Sequence, residues 1–152
     1  MANNIVVPKR TFSESLTEGV KQGLYAFYTL LKIMTPVYIV IAILKELGIV
    51  AYLAVFFAPF MKYFGLPGEA ALVIVSGWTV NLYGAIAALA GLSFSVRQVT
   101  ILATILGISH SLVMETAIIS RMKGRPWVIL ILRLSLGLIA GLLMNLILPV
   151  KI

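Results

Sequence analysis

A short polar segment, residues 76–81, separates two apolar runs near the middle of the chain. Thr79 and Asn81 carry hydrogen-bond donors and acceptors. Trp78 and Tyr83 each combine a flat stacking surface with one polar group. Side chains of these types suit the binding of a small polar solute, and we identify all four as candidate substrate-binding residues. The alternative is that the segment only seals an interface between subunits.

A second group of polar residues interrupts a later apolar run, residues 98–120. Ser109, His110 and Glu115 belong to this group, and we add them to the candidate substrate-binding set. His110 is the only histidine of the chain; it can bind a proton or a solute, or form a hydrogen bond between helices. On an ideal helix His110 and Glu115 point about 140° apart. They converge only if the helix unwinds near residues 109–111.

Glu115 and Arg133 place opposite charges inside two predicted membrane spans. Glu115 lies eight residues before Lys123 and Arg133 lies ten residues after it, so a helical hairpin puts both at a similar depth. A charge at that depth costs roughly 2.5–3.5 kcal/mol on insertion scales and therefore needs a partner or a function. We predict a contact between the two, either a structural ion pair or part of a shared polar cavity.

The composition indicates an integral membrane protein. The chain has 152 residues, of which 61% are hydrophobic and 11% are charged, against roughly 45–50% and 25% in soluble domains. Its net charge of +7 comes from twelve Lys and Arg residues scattered between apolar runs. Such charges flank membrane spans and do not form a nucleic-acid-binding stripe. We expect a multi-pass protein of the cytoplasmic (inner) membrane whose surroundings are the lipid bilayer.

The inventory of side chains argues against an enzyme. The chain has no cysteine and no aspartate, so the single histidine lacks the usual companions of a metal site. The sequence also lacks a recognisable set of nucleophile, base and orienting group. We therefore expect no catalytic residues, no metal and no cofactor.

The pattern of apolar residues divides the chain into an amphipathic amino-terminal segment, residues 1–23, and a single membrane domain, residues 24–152. Thr11 and Glu14 fit a capping box at the start of the first helix. Three runs are long and apolar enough to cross the membrane as helices. They are residues 24–44, 98–120 and 126–150.

Two shorter segments lie between the first and second spans. Residues 48–64 contain six aromatic residues and are interrupted by Pro59, which favours an interfacial helix in the plane of the membrane. The polar segment at residues 76–81 favours the tip of a re-entrant helical hairpin. Irregular backbone at that depth is tolerated only where it borders protein or a cavity.

The basic residues limit the topology. Those of the amino terminus and of residues 121–125 are both expected on the cytoplasmic side, so residues 48–64 and 66–92 either both cross the membrane or both do not. We favour an all-α integral membrane fold with three transmembrane helices, an interfacial helix and a re-entrant hairpin. Five transmembrane helices are the alternative. Either arrangement puts the carboxyl terminus outside.

Two stretches of the sequence resemble the Gate domain, also called the nucleoside-recognition domain. The first is Gly65-Leu66-Pro67-Gly68-Glu69-Ala70 followed by residues 76–85, in which Gly77, Asn81 and Ala85 fit the family pattern. The second, residues 107–117, resembles the Ser-His-x-Leu-x-x-Glu stretch of small stand-alone Gate proteins. Relatives include spore maturation proteins A and B, the membrane part of ferrous-iron transporter B and concentrative nucleoside transporters.

The resemblance implies an architecture and a function. In the nucleoside transporters the matching region is an interfacial helix, a re-entrant hairpin and two further helices, and it occurs twice in inverted orientation. This chain carries the unit once, so the resemblance implies a partner: an antiparallel homodimer, or a heteromer with another Gate-domain protein. The expected function is a transporter or channel for a small polar solute such as a nucleoside or ion. The alternative is a membrane scaffold or regulatory subunit that does not transport.

Overall fold

The computed structural model describes residues 11–149, and every regular element among them is helical. The element bounds are α1 (Phe12–Glu46), α2 (Ile49–Met61), a 3-10 turn (Lys62–Phe64), α3 (Ala70–Thr79), α4 (Leu82–Ala90), α5 (Val96–Ser109), α6 (Leu112–Arg121) and α7 (Pro126–Ile147).

The contacts divide the chain into two compact units, with the division after Lys32. In the first unit, the predicted capping box is confirmed: the Thr11 N–H donates to the Glu14 carboxylate at 2.9 Å, and the Glu14 N–H donates to the Thr11 hydroxyl at 3.4 Å. These bonds lower the pKa of the Glu14 carboxyl. The predicted boundary between residues 23 and 24 stays a prediction.

Three helical segments among the described residues are long and apolar enough to cross a membrane: α1, the combined segment Val96–Arg121, and α7. This confirms the expected all-α membrane fold. The helices α3 and α4 have ten and nine residues, which is about 15 Å each. Each covers only half of the roughly 30 Å hydrocarbon layer, so neither crosses it alone.

The predicted interfacial segment is helical, but the predicted interruption at Pro59 is wrong. Helix α2 continues through Pro59 to Met61. A proline inside a helix removes one backbone hydrogen bond and bends the helix without having to end it. Its aromatic residues are mostly exposed, as expected for a helix whose side chains contact lipid headgroups. The exposed ones are Tyr52, Phe56, Phe60 and the following Tyr63.

The second predicted span is not one continuous helix. It runs from Val96 to Arg121 but breaks after Ser109, where His110 is extended and Ser111 has a left-handed φ of 54°. The break falls at the polar residues 109–111 that interrupt this apolar run, which is where the sequence left an unwound helix open.

Helices α3 and α4 form a helical hairpin that packs against α5. The first arm is longer than predicted, since α3 includes the polar residues up to Thr79. Small residues allow the close approach: a Cβ at Gly77 would collide with the side chain of Leu106 on α5 and approach Ala85 on α4 to 3.2 Å. The centre of the core is formed by fully buried residues of α5, namely Ile101, Leu102 and Ile105.

Helix α7 packs closely against α5 through two glycines. Gly137 and Gly141 are buried, and a Cβ on either would collide with Ser109 or Ile105. Close packing of this kind is the usual role of small residues between membrane helices.

The hairpin begins and ends at the same end of the bundle. Arg97, in the first turn of α5, donates a hydrogen bond at 3.5 Å to the carbonyl oxygen of Gly65, which precedes the hairpin. The chain therefore leaves the hairpin close to where it entered.

Cysteine accessibility distinguishes three from five crossings, and the chain has no native cysteine to interfere. With three crossings, Lys62→Cys reacts with a membrane-impermeant thiol reagent from the same side as Ser93→Cys. With five, it reacts from the same side as Lys123→Cys. The other two positions are controls, because each keeps its side in both arrangements. We expect Lys62→Cys and Ser93→Cys to share a side in oriented vesicles.

Candidate functional site

The tip of the α3–α4 hairpin is a sharp break at Val80 and Asn81. Asn81 has extended backbone, and its side-chain oxygen accepts a hydrogen bond from the N–H of Gly84 at 2.9 Å. This is an N-cap, the reason asparagine favours the start of a helix. Since the oxygen must be the acceptor, the amide NH₂ group of Asn81 points its two donors elsewhere.

At the break between α5 and α6, a hydrogen bond to the backbone sets which ring nitrogen of His110 carries the hydrogen. The ring nitrogen Nδ1 of His110 lies 2.9 Å from the carbonyl oxygen of Leu106. A carbonyl oxygen can only accept, so Nδ1 carries the hydrogen and donates it. In the neutral ring, Nε2 is then a hydrogen-bond acceptor.

The two breaks meet each other. The N–H of Ser111 donates to the carbonyl oxygen of Gly77 at 2.8 Å, joining the α5–α6 break to the last turn of α3. Beside this bond, the indole N–H of Trp78 donates to the Ser109 hydroxyl at 3.1 Å, and that hydroxyl donates to the Ile105 carbonyl at 2.7 Å. The polar groups of Trp78 and Ser109 are thus used to attach the hairpin to α5.

The meeting point lies about halfway along the broken span. The fourteen residues of α5 cover about 21 Å, out of roughly 39 Å for a helix of 26 residues. Irregular backbone is therefore concentrated at one level, near the middle of the segment, and not at its ends.

An open cleft of about 290 Å³ lies at this level. We call it the tip cleft. Its lining residues are Asn81, Leu82, Tyr83, His110, Ser111 and Met114.

The tip cleft presents both donors and acceptors. Within residues 11–149, the NH₂ group of Asn81, Nε2 of His110 and the hydroxyl of Tyr83 have no hydrogen-bond partner. Helices α4 and α6 both begin here, so their first-turn N–H groups add a partial positive charge. These groups can bind a polar solute through its acceptors and donors, and the Tyr83 ring supplies a surface for stacking.

The structure brings together only some of the residues that the sequence singled out. Asn81, Tyr83 and His110 line the tip cleft, whereas Trp78 and Ser109 are bonded to each other beside it. Thr79 does not line the cleft, and its hydroxyl donates to the Val75 carbonyl at 2.7 Å. The binding roles of all these residues stay predictions.

Glu115 also lies outside the lining of the tip cleft, because it pairs with Arg133. The two side chains form a salt bridge, at the positions where the sequence predicts a contact. The guanidinium of Arg133 also donates through Nε to the carbonyl oxygen of Ile108 at 2.8 Å. Arg133 therefore forms a hydrogen bond to the last turn of α5 as well as a salt bridge to α6.

Arg97 was not identified by sequence reasoning, because an arginine at the start of a span usually reads as a charge in the headgroup layer. Its guanidinium donates to the carbonyl oxygens of Leu148 at 3.3 Å and Asn145 at 2.9 Å, in addition to Gly65. These are carbonyls at the carboxyl ends of helical segments, where a cation is stabilising. Asn145 completes the cluster by donating to the Tyr63 carbonyl at 2.9 Å.

Comparison with known proteins gives one family match and one relative. The sequence model of the family described as "Gate: Nucleoside recognition" matches residues 27–124. An uncharacterized membrane protein of Bacillus subtilis (strain 168), YvoD, is 35% identical over 129 residues, which is 85% of this chain and 41% of YvoD. The chain thus spans about two fifths of the length of that relative. No solved structure matches.

Replacing Arg97 should destabilise the fold by releasing the base of the hairpin. Arg97→Met leaves several carbonyl oxygens without their donor, and a hydrogen bond to a charged group is worth about 1.5–3 kcal/mol. We expect a loss of at least about 2 kcal/mol, seen as a fall of several degrees in the thermal midpoint of the detergent-solubilised protein. Arg121→Met, at an exposed arginine, is the control. Equal midpoints for the two variants would contradict this role.

Proposed function

The chain belongs to the Gate, or nucleoside-recognition, family of membrane domains, and on that premise we propose that it forms a transporter or channel for a small polar solute such as a nucleoside or ion. The proposed solute site is the tip cleft. The observation that carries the proposal is the meeting of two helix breaks about halfway along a membrane-length segment, joined by the bond from Ser111 to Gly77.

Broken helices inside a membrane have a limited set of explanations. Without water, backbone groups freed by a break must find partners in protein or border a cavity. In transporters built from broken helices, the ends of half-helices point at the bound solute. Two helix starts at the tip cleft, together with an open volume beside them, fit a binding site better than they fit a sealed interface.

The proposal includes a hairpin that re-enters the membrane. Its support is geometric: two arms of about 15 Å, a base held at one end of the bundle by Arg97, and a tip at mid-span. In the proposed arrangement, a hairpin of this shape enters the bilayer as far as Asn81, near its centre, and does not cross it.

The chemistry of the tip cleft favours a neutral solute with both donors and acceptors. Asn81 offers donors, His110 Nε2 offers an acceptor and Tyr83 offers a ring face. A nucleobase presents complementary groups on its edge and a flat surface for stacking. Glu115 is neutralised by Arg133, so the nearby carboxylate does not impose a net charge on the site.

We also propose a second subunit, as an antiparallel homodimer or a heteromer with another Gate-domain protein. The tip cleft is open on one side, so a second unit is needed to enclose a solute. No enzymatic step forms part of the proposal.

Uptake by protein reconstituted in liposomes tests this function, with labelled uridine and adenosine as probes. We expect saturable uptake by the unaltered protein and at least a tenfold loss of kcat/KM in Asn81→Ala and in His110→Ala, since each removes a group of the tip cleft. Thr100→Ala is the control, because this exposed polar residue of α5 lies outside the lining, and it should retain uptake. Absence of uptake of both probes, or wild-type uptake in both cleft variants, would count against nucleoside transport and favour the scaffold role.

A further inference from the structure

The break between α5 and α6 frees a backbone acceptor that would be satisfied in a continuous helix. In an unbroken helix the carbonyl oxygen of Ile108 accepts from the N–H of Leu112, four residues later. The extended and left-handed residues between them prevent this bond. Arg133 supplies the donor instead, through Nε at 2.8 Å.

The same guanidinium contacts the other side of the break. Its Nη1 forms the salt bridge with Glu115, which lies in the first turn of α6. One side chain on α7 thus touches the last turn of α5 and the first turn of α6. We call this arrangement the Arg133 bridge, formed by Ile108, Glu115 and Arg133.

A continuous helix from Val96 to Arg121 is the natural competitor of the broken one. In the continuous helix, the Ile108 carbonyl would accept from the N–H of Leu112. The Gly77 carbonyl would lose its bond from the Ser111 N–H, and Arg133 would lose the Ile108 carbonyl as an acceptor. The side chain of Arg133 is 20% exposed and that of Glu115 is 35% exposed. In the continuous form this partly buried arginine would keep the Glu115 carboxylate as a partner but lose the Ile108 carbonyl. The Arg133 bridge therefore favours the broken form over the continuous one.

We propose that Arg133 is a positioning residue that keeps the α5–α6 break open and so keeps His110 and Met114 in the tip cleft. Without its two-sided contact, the segment closes into one helix and the cleft loses that wall. The inference rests on the proposed function for the importance of the cleft, but the shape of the break can be measured without any solute.

The decisive variant exchanges the two charges. Glu115→Arg combined with Arg133→Glu keeps an ion pair between α6 and α7, but a carboxylate at position 133 cannot donate to the Ile108 carbonyl. If the pair only ties two helices together, the exchange preserves the break. If the Arg133 bridge holds the break, the exchange loses it. Glu115→Gln is the matched control, since it leaves the Arg133 donor in place and keeps an acceptor oxygen at position 115.

Spin labels at Thr100→Cys and Ala117→Cys measure the break directly by electron–electron distance. Both positions are exposed, they lie on opposite sides of the break, and the chain has no cysteine of its own. Seventeen residues of unbroken helix span about 26 Å. We expect the unaltered protein and Glu115→Gln to share one distance distribution, and the charge-exchanged variant to move to the value of the unbroken helix.

Controls separate this effect from unfolding. Labels at Val128→Cys and Leu143→Cys, both exposed on α7, should give the same distance in every variant. If the charge-exchanged protein does not fold, Arg133→Met combined with Glu115→Gln replaces it, because a thioether side chain has no donor for the Ile108 carbonyl and the second change leaves no unpaired carboxylate. We expect the same shift there. An unchanged distance in whichever variant folds would overturn the proposal.

The outcomes for the bridge and for transport are distinguishable. A distance shift in the variant, together with no uptake by the unaltered protein, keeps the Arg133 bridge and removes nucleoside transport. Uptake by the unaltered protein without any shift in the variant keeps transport and removes the bridge. If both hold, the charge-exchanged variant should show at least a tenfold rise in KM for the probe.

Discussion

The structure depends on one constraint: inside a bilayer, each backbone group released from a helix must find another partner. The hairpin tip and the α5–α6 break lie at the same level, and a backbone hydrogen bond between them satisfies one polar group from each. The N–H of Ser111 bonds to Gly77, the ring of His110 bonds to Leu106, and Arg133 bonds to Ile108. Because three separate donors are needed, the broken arrangement specifies a particular packing of α3, α5 and α7 around it.

Small residues make that packing possible. Gly77 lets the hairpin lie against Leu106, and Gly137 and Gly141 let α7 approach α5 closely enough for Arg133 to reach the break. At the other end, Arg97 fixes the base of the hairpin by donating to three carbonyl oxygens, one at Gly65 and two at the carboxyl end of α7. The hairpin is thus attached at its base and at its tip, and the tip cleft lies beside the second attachment.

Much of the fold could be predicted from the sequence because a helix that crosses a membrane needs a long apolar run, which is visible in the composition. Apolar runs of sufficient length predicted three membrane-length helices, and the polar residues between two short runs predicted a helical hairpin. The spacing of Glu115 and Arg133 around the basic loop placed the two charges at a similar depth, where they pair. The family was also recognisable from the sequence, and the family model matches residues 27–124.

The sequence by itself determined which segments are apolar, which polar residues fall inside them and how far apart they lie along the chain. Only the tertiary structure decided which of those polar residues share a cleft. The reason is that the break at residues 109–111 depends on an acceptor from α3, the Gly77 carbonyl, and a donor from α7, Arg133, and both are distant in sequence. Once the break forms, Asn81, Tyr83 and His110 line one cleft, whereas Glu115 turns to Arg133 and Ser109 to Trp78.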